Sequence, residues 1–118
     1  MQIGSVGEVV PLALDGLVAR QQVIAQNIAN LNTPGYTPMR VEFESALQSV
    51  AAGAGDGANA VRIKPDLRQA APTGQAAQAE LSHQVSMLAD TVLRYQTLIK
   101  GVNKQLAIMQ LAVSDGRR

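Results

Sequence analysis

One repeat constrains this chain more than any other feature. Leu81, Leu88, Tyr95, Val102 and Met109 recur every seven residues, and Val85, Val92, Ile99, Leu106 and Val113 form a second seven-residue series four places later. Every position of both series is apolar. A strand has a side-chain period of two and cannot use such a pattern. A helix can, by supercoiling left-handedly around a partner helix. Residues 81–113 would span roughly 50 Å at about 1.5 Å per residue. Met87, Leu93, Leu98, Ile108 and Leu111 add apolar surface off this seam, and the charged residues of the stretch are Asp90, Arg94, Lys100 and Lys104. A helix apolar on most sides is normally buried on most sides.

The obvious partner lies near the start of the chain. From about Glu8 to Leu31, Val10, Leu14, Leu17, Ile24, Ile28 and Leu31 alternate steps of four and three, with Gln21 filling one apolar place. Pro11 would suit the first turn, where its missing N–H costs nothing. This helix is roughly 36 Å long, so part of the C-terminal seam outlasts it. The fold class expected is all-α: two long heptad-patterned helices, N- and C-terminal, in a coiled-coil-like pair, with an irregular Gly/Pro-containing middle. Leu14, Leu17, Ile24 and Ile28 would face Leu81, Val85, Leu88, Val92, Tyr95, Ile99, Val102, Leu106, Met109 and Val113. One structural domain then divides into residues 1–36 (axial helix and turn), 37–78 (middle) and 79–118 (axial helix and tail).

Local signals punctuate the rest. Thr33-Pro34-Gly35-Tyr36 places Pro and Gly where a type II turn needs them. Phe43, Leu47 and Val50 allow one or two helical turns, and Val61 to Lys64 could form a short strand. Gly53, Gly55 and Gly57 predict a flexible loop. The whole middle is expected to be mobile in a free monomer.

Composition narrows the function. Only 16% of the 118 residues are charged, against roughly 25% in ordinary domains. Aromatic residues make up 3%, Cys and Trp are absent, and the net charge is +1. Without Cys there is no disulfide, thiol chemistry or zinc ribbon, and a single His makes a transition-metal site improbable. The near-zero charge argues against nucleic acid. No apolar run is long enough to span a membrane, and Met1 to Val10 carries no cleavable signal pattern. His83, opposite the seam, reads as a solvated surface residue, with no second His or Cys to build a dyad. Glu42 and Glu44 read as exposed carboxylates, and the three glycines lack the Lys-Ser/Thr of a phosphate loop. The expectation is a chain that is not an enzyme, with no catalytic, cofactor or metal site and no small-molecule substrate. Its surplus apolar faces instead predict packing against copies of itself, and contacts that do not close would give a helical polymer.

The run Arg20 to Tyr36, containing Asn27-Ile28-Ala29-Asn30 and then Thr33-Pro34-Gly35-Tyr36, closely resembles the N-terminal signature of the bacterial flagellar rod, hook and hook-associated axial proteins. Leu93-Arg94-Tyr95-Gln96 looks similar to their C-terminal helix, and the short length is most like the proximal rod subunits. The chain departs from these at Gly74 to Glu80 and at Gln84, where an acidic residue is common. The resemblance implies export through the flagellar type III apparatus without a cleaved signal. It also implies assembly with copies of the chain and other rod proteins into the hollow, periplasm-spanning drive shaft of the basal body, which transmits torque. Asn27, Asn30, Thr33, Pro34, Gly35 and Tyr36 would fix where the chain leaves the tube wall. The alternatives are the sister proximal rod subunit and a helical-hairpin adaptor that never polymerises.

Overall fold

The computed structural model describes residues 3–55, 57, 60–66 and 75–116. In chain order these form α1 (Ile3–Ala29), β1 (Met39–Glu42), α2 (Glu44–Ala51), β2 (Arg62–Pro65) and α3 (Gln75–Gly116). The architecture is the expected one, mostly helical, with α1 and α3 packed together and a small sheet in the middle. The molecule is a rod itself, 67 × 26 × 16 Å, and α3 alone accounts for about 63 Å of that length.

Both long helices are longer than expected, although α1 gains at its start and ends at Ala29, two residues before Leu31. Because α1 begins at Ile3, Pro11 lies inside the helix and not in its first turn. Gly7, whose carbonyl would have bonded the missing N–H, is exposed to water, which lessens the cost of a proline at that place. The end of α1 follows its residues closely. The Asn30 side chain donates to the Gln26 carbonyl at 2.9 Å, and Thr33 Oγ1 bonds Asn30 Oδ1 at 3.2 Å. The Tyr36 N–H then reaches the Thr33 carbonyl at 3.2 Å, with Gly35 at φ +78°. These are the hydrogen bond and the dihedral of a type II turn, and a positive φ there is why the third residue is glycine.

The described part of the middle holds more regular structure than its composition suggested; residue 56, residues 58–59 and residues 67–74, to which the same expectation applied, lie outside the described residues. β1 and β2 pair antiparallel, Val41 opposite Ile63 and Glu42 opposite Arg62. α2 supplies Val50 to a small core with Leu12 and Ala60, while Phe43 and Val41 pack with Leu17 and Val23 of α1. Gly53, expected to be merely flexible, ends α2. Its N–H bonds the Val50 carbonyl, the Ala54 N–H bonds the Ser49 carbonyl at 2.8 Å, and φ is +80°. That is a Schellman cap, which selects a residue tolerant of the left-handed region.

Gly16 has a different reason to be glycine. It lies in α1 under the Phe43 ring, and a Cβ at this position would fall within 2.5 Å of ring carbons Cδ1 and Cδ2. The missing side chain lets the middle segment seat on α1.

Candidate assembly interface

A two-stranded ribbon is marginal alone, and here α1 serves as its third strand. Asn27 is 1% exposed. Its Oδ1 accepts from the Met39 N–H at 2.9 Å, and its Nδ2 donates to the Met39 carbonyl at 2.7 Å, so the amide reproduces the two bonds a paired strand residue would make. The same Oδ1 accepts from the Tyr36 hydroxyl at 3.0 Å, and Nδ2 also donates to Gln84 Oε1 of α3 at 3.3 Å. Both donors and both acceptor positions of the amide are therefore filled. About two turns of α1 away along the edge, Arg20 donates to the Val41 carbonyl at 2.8 Å, pairs with Glu44, and lies 4.8 Å from the centre of the Phe43 ring.

Electrostatics reinforce this clamp. Burial pushes the Glu44 carboxyl up. Hydrogen bonds from the Arg20 guanidinium and from the Phe43 and Glu44 backbone outweigh it and hold the group below its ordinary value of 4.5. On the open face of the ribbon, a hydrogen bond from Lys64 is the main cause that lowers Glu42, and Arg40 also pairs with it.

The α1–α3 contact differs from the expected one in rotation. The α3 residues that it buries are Glu80, Gln84 and Thr91. Gln84 is completely buried and donates from Nε2 to Glu80 Oε1 at 2.8 Å, one turn earlier. Thr91 donates to the Met87 carbonyl. Each of these residues precedes a seam position by one place, which is about 100° around the helix. The apolar seam is thus turned towards the flank. Leu81, Val85, Leu106, Met109 and Val113 are exposed, Val85 by 49%, whereas Leu88, Val92, Tyr95, Ile99 and Val102 are half-buried. On α1, Leu17 and Ile24 are buried, and Leu14 and Ile28 are half-buried. From residue 103 to 116 every side chain of α3 is exposed, Ile108 and Leu111 included. In the turn motif Asn27 is buried, Asn30 and Tyr36 are half-buried, and Thr33, Pro34 and Gly35 lie at the surface.

His83 corrects its reading as a solvated residue. It is half-buried, and its Nε2 is buried without a hydrogen-bond partner. The sequence reading also passed over Gly16, Arg20 as a clamp, Glu80 and Thr91. It noticed Gln84 only as a departure from relatives. Among the described residues no three His, Cys, Asp or Glu side chains gather where they could hold a metal ion, and no helix is long and apolar enough to cross a membrane.

The geometry places the chemistry of the site in packing and hydrogen-bond matching, and its core, from Gly16 through Asn27 to the turn, lies in one short run. Residues 13–37 match the family model described as "Flagella basal body rod protein". The chain is similar to flagellar basal-body rod proteins, FlgB among them. The flagellar basal body rod protein FlgB of Escherichia coli (strain K12) is 27% identical over 123 residues, covering 88% of this chain and 89% of that protein, and its Shigella flexneri counterpart gives the same figures. FlgB of Proteus mirabilis (strain HI4320) is 25% identical over 116 residues, covering 82% and 85%. The matched run holds the residues that seat the ribbon on α1 (Gly16, Arg20, Asn27) and those that form the turn.

Proposed function

We propose that this chain is a structural subunit of the flagellar basal-body rod, that it polymerises with copies of itself and with other rod proteins, and that the finished shaft carries rotation. The likeness to FlgB supports the rod and its place in the basal body. One observation carries the polymer: α1 leaves the apolar seam of α3 uncovered at Leu81 and Val85 and again at Leu106, Met109 and Val113, and only half covers it between. Burying a Leu, Val or Met side chain contributes about 1.5–3 kcal/mol, so several such residues per subunit drive association strongly. Long helices packed at crystal-like density resist bending and twisting, which is what a drive shaft requires. Export through the flagellar type III apparatus belongs to the same reading.

The chain has no native Cys, so single cysteines at Leu106 or Met109 test the proposal directly. In intact basal bodies they should cross-link subunits, and deletion of the protein should abolish swimming. A deletion strain that swims normally, with the purified protein a rigid monomer at high concentration, would refute the rod and favour a hairpin adaptor.

A further inference from the structure

α3 carries two stripes that compete for α1. One is apolar throughout and should win on hydrophobic burial alone. The other, which actually faces α1 over the first half of α3, is centred on Glu80, Gln84 and Thr91 and runs on into Tyr95 and Leu98, which pack against the α1 core. The polar stripe wins because α1 presents a buried amide opposite it. Asn27 Nδ2 reaches Gln84 Oε1, and Gln84 Nε2 reaches Glu80 Oε1. Were α3 rotated by one residue to bring Leu81 and Val85 inward, Gln84 would leave Asn27, and one buried N–H of Asn27 would face hydrocarbon without a partner, at a large desolvation cost. Asn27 itself cannot rotate away, since Met39 and Tyr36 hold it.

We propose that Asn27, Gln84 and Glu80 form a rotational lock that selects the polar stripe for the contact inside the chain and keeps the exposed seam residues, Leu81 and Val85 and those beyond Val102, free for the helix of a second copy. The device matches the use of a single buried polar residue to set register in coiled coils, at some expense of stability. The second half of the proposal rests on the rod reading; the lock does not. These three are positioning residues.

The test replaces the α3 half of the lock, Glu80→Leu with Gln84→Leu, and leaves the grip of Asn27 on Met39 and Tyr36 intact. Two reporters are introduced one at a time: Thr91→Cys, at a site now 2% exposed, and Val85→Cys, at a site now 49% exposed. In the otherwise native monomer, a thiol reagent should modify Val85→Cys at least about tenfold faster than Thr91→Cys, because the buried site reacts only through opening. In the double variant, α3 should sample both rotations and the ratio should fall to within about threefold. An unchanged ratio with native helical content overturns the lock. Where circular dichroism shows the double variant unfolded, the same ratio in Gln84→Leu alone decides. A second readout concerns assembly. Gln84→Leu leaves one Asn27 N–H without its partner and costs some stability, so the double variant is compared at a temperature where circular dichroism shows it folded, and there it should complement a deletion strain poorly. Full complementation alongside a collapsed ratio would overturn the reservation of the seam and leave the lock standing. Because the labelling uses isolated monomer, its result is independent of whether the rod reading holds.

Discussion

Gly16→Ala sets two known effects against each other at one atom. Inside a helix, replacing Gly with Ala ordinarily gains about 0.5–1 kcal/mol, because glycine loses more backbone freedom on folding. Here the new methyl would lie within 2.5 Å of Phe43 Cδ1 and Cδ2, whereas carbon atoms rest at about 3.5–4.0 Å. The ring must retreat by about 1 Å. It cannot do so by rotation alone, because the methyl meets the ring at its attached end, where Phe43 joins β1 to α2. Phe43 is buried with Leu17, Val23 and Val41, and it also supports Arg20. Overpacking of this kind costs about 1–3 kcal/mol, occasionally more, so the net effect is a destabilisation of about 1–2 kcal/mol. Gly101→Ala is the matched control. It also lies in a helix, it is exposed, and nothing stands within 4 Å of the added carbon, so it should stabilise by up to about 1 kcal/mol. Urea and thermal unfolding followed by helical circular dichroism read both, at roughly 3–5 °C per kcal/mol for a chain of this size. Gly16→Ala with stability equal to or above the native chain would refute the reasoning, since it would mean that the ring does not sit against α1.

Further outcomes can be checked on the same protein. Asn27→Ala strands the Met39 N–H and the Tyr36 hydroxyl, each worth about 1–3 kcal/mol if left buried, and should reduce stability by about 3 kcal/mol with selective loss of amide protection at Met39 in hydrogen exchange. Glu44 has a lowered folded-state pKa, so its contribution is present above its unfolded value near 4.5 and is lost as pH falls through the folded one; Glu44→Gln should therefore flatten that segment of the stability–pH curve, and an unaltered curve would remove the Arg20 pair from the account. Ile99→Asp places a charge in the half-buried seam and should abolish motility while the monomer stays helical; normal swimming would count against the seam.

Periodicity carried the long helices, because heptads are written in residue identity and need no distant partner. Pro34 and Gly35 disclosed their turn for the same local reason. The ribbon was harder. Val61 to Lys64 could be read as a strand, offset by one residue from the observed β2, but its partner Met39-Arg40-Val41-Glu42 alternates apolar and polar residues over only four places, too short a signal to stand alone. It is extended because Asn27 and Arg20 occupy its outer edge. The rotation of α3 was not legible, since apolar residues point to the buried face only when the partner surface is apolar. Opposite Gln84 stands a buried amide, and matching it outweighed grease. The decisive polar residue of α1 was Asn27, quoted in the motif but understood only as part of a turn.

The outer end of α3 has a consequence for growth. No side chain from 103 to 116 is covered, and a helical segment this short has marginal stability in water without support. Its order is on loan from whatever neighbour arrives. A subunit in isolation should fray there, and docking would then be partly a freezing step, with a steeper temperature dependence than rigid bodies joining would show. Elongation speed, followed across a range of temperatures, would report how much of each subunit solidifies on arrival.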